Sequence, residues 1–89
     1  MLKISEGKRT QQTTMLRLEG RLVGPWVAEL EQICEPLLSG VRRLELELAE
    51  VAFVDEPGIA LLTRLKVQGA MLLNASPFVE EQLKSPTPK

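Results

Sequence analysis

From Met15 the chain alternates, with Leu16 and Leu18 on one side and Arg17 and Glu19 on the other. A period of two predicts a strand with one wet face, which Gly20 ends or bends. The same alternation returns from Arg43 to Ala49, where Leu44, Leu46 and Leu48 interleave with Arg43, Glu45 and Glu47. Ala52, Phe53 and Val54 extend or follow this strand as an apolar run. Leu2 to Ile4 predicts a short strand, and the polar stretch Glu6 to Thr13, with Gly7 inside it, reads as a loop. The two N-terminal segments are expected to pair as an antiparallel hairpin across it. Ala70 to Ala75 predicts a last short strand.

Between the strands the spacing becomes helical. Gly24-Pro25 marks a helix start, because proline is preorganised for the first helical position. Trp26, Val27, Leu30, Ile33, Cys34, Leu37 and Leu38 then recur on one face, with Glu29, Glu31, Gln32 and Glu35 on the other. Pro36 removes a hydrogen bond and disfavours helix at Glu35, so the helix is expected to end near Cys34. A kinked or 3₁₀ turn would carry the chain on to Ser39-Gly40. A second amphipathic helix follows Asp55-Glu56-Pro57-Gly58, carrying Ile59, Ala60, Leu61, Leu62 and Leu65, and Gly69 closes it. Ser76-Pro77 opens a third, with Phe78, Val79 and Leu83.

The predicted order is β-β-α-β-α-β-α, which favours parallel pairing with right-handed crossovers. Both clearly alternating strands keep a polar face, so the helices should cover mainly one face of a small mixed four-stranded sheet. The expected organisation is one α/β domain over residues 1–84, with 85–89, two prolines in five residues, as a disordered C-terminal tail.

Composition narrows the function. With 11 Lys+Arg against 12 Asp+Glu the net charge is −1, which gives no basic excess for nucleic acid. The single cysteine and the absence of histidine remove an internal disulfide, the usual zinc-ligand sets and histidine-based triads. No apolar run approaches a membrane span, and Met1-Leu-Lys-Ile followed by Ser-Glu-Gly-Lys-Arg lacks the apolar core of a secretory signal. A cytoplasmic protein with no direct membrane insertion is the expectation.

The chemistry-bearing residues read mostly as structure. Asp55-Glu56-Pro57-Gly58 supplies an acidic cap, acid at the positive end of the dipole and a proline at the first helical position. A helix start at the end of a sheet is also where α/β folds place ligands, so the loop is a candidate recognition element, a role its rigidity suits but does not require. Gly20 to Pro25 lacks the lysine and hydroxyl of a phosphate loop, and Arg21 reads as a solvated arginine. Cys34 lies on an apolar stripe and is expected to be an inert packed thiol. Trp26 reads as a core or rim residue, and as an interface anchor if exposed beside Val23 and Leu22. Glu45 and Glu47 on an open sheet face lack the cleft that a catalytic carboxylate pair needs. Glu80-Glu81 is acid near a helix start. No catalytic residue, metal site or cofactor is expected, and the chain is not expected to be an enzyme.

Three stretches, in this order, resemble the STAS domain, shared by anti-sigma factor antagonists and the cytoplasmic tails of sulphate transporters. They are Leu16-Arg-Leu-Glu-Gly-Arg-Leu-Val-Gly, Leu44-Glu-Leu-Glu-Leu-Ala-Glu-Val-Ala-Phe-Val-Asp-Glu-Pro-Gly-Ile-Ala-Leu-Leu and Gly69-Ala-Met-Leu-Leu-Asn. With the intervening helices they span Met15 to about Leu83. In the family the second stretch typically reads hydrophobic-hydrophobic-Asp-Ser-Ser-Gly-hydrophobic, and a partner kinase modifies the serine before the glycine in phospho-regulated members. Pro57 occupies that position here and Glu56 the other serine position. Proline has no hydroxyl, so no phosphorylation is expected at Pro57, and the carboxylate of Glu56 replaces a phosphate poorly. Thr63 and Ser39 fall outside the motif.

The resemblance implies a STAS-like fold and a non-catalytic protein-binding regulatory module acting as an anti-sigma factor antagonist. Its protein partner would be an anti-sigma factor or kinase-like regulator in bacterial signalling. Docking is expected through Asp55, Glu56, Pro57 and Gly58 together with Val23, Gly24 and Pro25. The alternative is a STAS-like accessory subunit of a membrane transport assembly built on a lipid-transport ATPase. The oligomeric state is left open.

Overall fold

The computed structural model describes residues 2–40 and 43–84. Seven elements follow in chain order: β1 (Leu2–Arg9), β2 (Thr13–Leu22), α1 (Pro25–Ser39), β3 (Arg43–Val54), α2 (Glu56–Val67), β4 (Met71–Leu73) and α3 (Pro77–Lys84). The strands form one four-stranded sheet in the order β1-β2-β3-β4. β1 runs antiparallel to β2, while β2–β3 and β3–β4 are parallel. The α/β, β-β-α-β-α-β-α architecture matches the expectation. The expected tail, 85–89, lies outside the described residues.

One face of the sheet makes the core. Leu16 and Leu18 of β2 and Leu44, Leu46 and Leu48 of β3 are buried, and so are Leu30, Cys34, Leu61, Leu62, Leu65 and Val79 from the helices. The alternate residues Arg17, Glu45 and Glu47 stay partly or fully in water. There Arg17 is the register partner of Glu47, and Asn74 donates from Nδ2 to both Glu47 carboxylate oxygens at 3.0 and 3.1 Å. This is polar matching on a solvated surface, as the alternation predicts.

Three local expectations are corrected. The stretch from Glu6 to Arg9 is strand and not loop, because β1 is an edge strand where Glu6 and Arg9 stay wet while the backbone pairs with β2. The turn shrinks to Thr10–Thr13, where the Thr10 hydroxyl accepts from the Gln12 and Thr13 N–H groups at 3.2 and 2.9 Å. Gly20 does not end β2. The register shifts on either side of it, and its φ of 108° lets the strand run on to Leu22. Finally, α1 passes through Pro36 to Ser39. Gln32, whose carbonyl loses its donor to that proline, lies with Pro36 on the exposed side, where water can replace the bond. Ile33, Cys34, Leu37 and Leu38 pack on the core around it and hold the last turns in place.

Two smaller readings also shift. β4 is only Met71–Leu73, shorter than the predicted strand. β3 is a single strand through Val54, so the run Ala52–Val54 extends it.

Candidate functional site

Parallel pairing of β2 and β3 sets Leu22 opposite Val54, so the turns that leave the two strands lie side by side at one end of the sheet. Asp55 joins them. Its Oδ1 accepts from the Gly58 N–H at 2.9 Å, which caps α2, and its Oδ2 accepts from the Gly24 N–H at 2.9 Å in the other turn. The Asp55 N–H donates to the Leu22 carbonyl at 3.2 Å, so backbone and side chain both tie the turns together. One carboxylate holds a helix cap and an interloop link at once.

The glycines make this approach possible. Gly24 has φ 56° and ψ −131°, a conformation open to glycine, and its carbonyl accepts from Val27 N–H at 3.1 Å at the start of α1. Gly58 is buried, and a Cβ there would lie 2.6 Å from Val54 Cγ1 and 2.9 Å from the Leu22 carbonyl oxygen.

All seven proposed docking residues are brought to this end of the sheet. Gly24, Pro25, Glu56 and Pro57 are exposed, Val23 and Asp55 are half-buried, and Gly58 is closed off. Pro57 is the second residue of α2 and not the first as expected, because Asp55 is the cap and the helix already begins at Glu56. The sequence reading recognised Asp55 as a cap. It missed the bond to Gly24, whose signal was the parallel adjacency of β2 and β3.

The remaining candidates scatter. Trp26 is half-buried against the core and Leu22 is fully buried, so the exposed Trp26–Val23–Leu22 cluster does not form. Arg21 is exposed. Glu80 lies in the first turn of α3 and Glu81 follows it at the fifth position, while Ser76 caps the helix by accepting from Val79 N–H at 3.2 Å. Among the described residues no cluster of three or more Cys, Asp or Glu could hold a metal ion, and no helix is long and apolar enough to cross a membrane.

Cys34 is buried on α1, and burial pushes its thiol up to about 12 from an ordinary value near 9. The folded thiol therefore stays protonated while an unfolded one ionises near pH 9. The unfolded state binds fewer protons in that window, so stability should fall as pH rises above about 9. At pH 8 a thiol reagent should leave the native protein unmodified and label it only on unfolding. Rapid native labelling would show that α1 does not seal the residue.

No protein-family model and no curated protein matches the sequence. A solved structure does: the anti-sigma factor antagonist SpoIIAA in its unphosphorylated form is similar with a TM-score of 0.73, over 93% of this chain and 83% of that one. The fold is STAS-like. Sequence identity is 23%, so the likeness is one of fold. Within this STAS-like fold, the clamp between the paired turns is what gives the candidate loop a defined shape.

Proposed function

We propose that this chain is a non-catalytic regulatory module that binds a protein partner through its paired turns, in the manner of an anti-sigma factor antagonist. The partner would be a kinase-like anti-sigma regulator. The observation that carries the reading is the Asp55 clamp, which fixes Gly24-Pro25 beside Glu56-Pro57 as one preorganised surface. A rigid surface avoids part of the ordering cost of association. Likeness of fold to SpoIIAA supports the choice of partner class by analogy.

Pro57 stands exposed where the family's modified serine would be, so binding would be unswitched at this position and governed by abundance. Pro57→Ser should restore a target: with a cognate kinase, phosphate should enter the variant and not the parent chain. Equal labelling of the two would overturn the assignment of Pro57 to the switch position. The partner class is tested by capture with the tagged parent chain from its native lysate. Specific recovery of a kinase-like anti-sigma factor supports the reading. Recovery of a membrane transport ATPase without such a regulator replaces it with the accessory-subunit alternative.

A further inference from the structure

The chain has three aromatic residues, Trp26, Phe53 and Phe78, and none belongs to its fully buried core. Trp26 is half-buried, while Phe53 is 41% and Phe78 54% exposed. The two phenylalanine rings stack on each other with centroids 6.2 Å apart and planes at 24°. Aromatic side chains carry the largest apolar area a residue can bury, and the core here is packed with leucine instead. Stacking recovers only a fraction of that area, and the pair stays wet.

Its position is informative. Phe53 is the penultimate residue of β3, two before Asp55, and Phe78 reaches it from the first turn of α3. Through Phe53 the pair thus adjoins Glu56 and Pro57 along the chain. The surroundings are acidic: Glu50, three residues before Phe53, Glu56, and Glu81, one turn beyond Phe78, are all exposed. Glu50 is also the register partner of Glu19, a like-charge pairing across two strands, with Lys3 of β1 opposite Glu19 on its other side. The basic neighbours at these strand ends are Arg21, the register partner of Phe53, and Lys3, the register partner of Glu19 on β1.

We propose that Phe53 and Phe78 form the apolar centre of the docking surface, and that its occupant is a protein segment with an apolar face flanked by lysine or arginine. The inference rests on the protein-binding reading above and specifies the chemistry of its partner. An apolar centre with an acidic rim is complementary to such a segment and not to a second copy of this chain, which would bring two acidic rims together. Stacked aromatics in a polar surround have the anatomy of a binding hot spot.

The test is a titration of the full chain, followed by amide NMR, with an amphipathic helical peptide made only of Leu and Lys, beside its Leu and Glu counterpart. The Leu/Lys peptide should give saturable shifts confined to residues 50–57 and 77–82, and the Leu/Glu peptide none. Phe53→Ala combined with Phe78→Ala should weaken binding at least about tenfold. Because that variant also loosens α3, Glu50→Lys with Glu81→Lys provides the second arm: it leaves every apolar contact and should weaken binding severalfold.

Absence of saturable binding, equal binding of both peptides, shifts elsewhere on the molecule, or variants that bind like the parent would each overturn the proposal. If the partner captured in the preceding experiment binds the parent and both variants alike, the aromatic surface is wrong and the paired-turn reading stands. If the Leu/Lys peptide binds as expected and no protein partner is recovered, the surface chemistry stands and that reading falls.

Discussion

Replacing Gly58 by alanine should destabilise the protein by about 1–3 kcal/mol, although the position lies in the first turn of a helix. Helix propensity alone gives the opposite sign, since alanine exceeds glycine by about 0.8–1 kcal/mol in a helix interior. The local geometry decides between them. The added methyl would lie 2.6 Å from Val54 Cγ1, 2.9 Å from the Leu22 carbonyl oxygen and 3.1 Å from Asp55 Oδ1. A side chain could rotate away, but the Leu22 carbonyl is backbone at the end of β2 and already accepts from Asp55 N–H. Relief requires α2 to lift from the sheet, which pulls the Asp55 carboxylate off Gly24 or off Gly58. The expected signature is a lower urea midpoint with unchanged slope, together with faster amide exchange at Gly24 and Gly58 than in the rest of the sheet. A variant more stable than the parent would mean that the turns are not in close contact, and the docking surface would lose its rigidity argument.

Legibility from sequence followed the length of the pattern that carried the signal. Leu44, Leu46 and Leu48 set against Arg43, Glu45 and Glu47 specify both a strand and its buried face, and the structure agrees residue by residue. Asp55 as a cap and Gly69 as a stop were equally local, and Gly69 has the φ of 110° that such a stop requires. Failures came where tertiary contact outweighs local preference. Pro36 reads as a terminator, yet the apolar stripe around it keeps α1 helical because the lost bond faces water. Glu6 to Arg9 reads as a loop, yet an edge strand needs only one paired neighbour and no apolar face of its own. The site was half legible: its residues could be named, but the link between Asp55 and Gly24 spans 31 positions and exists only once β2 and β3 pair. The exposure of Phe53 and Phe78 was hidden for a similar reason, since each sits in a run that looks like core.

The steepest loss of stability is expected from Leu46→Ala. Leu46 is fully buried in the first half of β3, with Leu16 of β2 and Leu72 of β4 as its register partners on either side. These three leucines form a row across the parallel part of the sheet, beneath helices that supply Leu30, Leu61, Leu62 and Leu65. Truncation removes the transfer free energy of the side chain and leaves a void that its strand neighbours, fixed by backbone pairing, cannot fill. Together these cost about 2–5 kcal/mol. A domain of this size holds about 5–15 kcal/mol in total, so the variant would retain little margin. Its melting midpoint should drop by about 8–40 °C, at about 4–8 °C per kcal/mol. Glu45→Ala and Glu47→Ala, one step along the same strand, should each change stability by less than about 0.5 kcal/mol, because their side chains look into water. That contrast between adjacent residues tests the one-sided sheet directly. Comparable losses at Leu46 and Glu47 would require something packed on the charged face, and the partner surface would then have to be sought there and not at the paired turns.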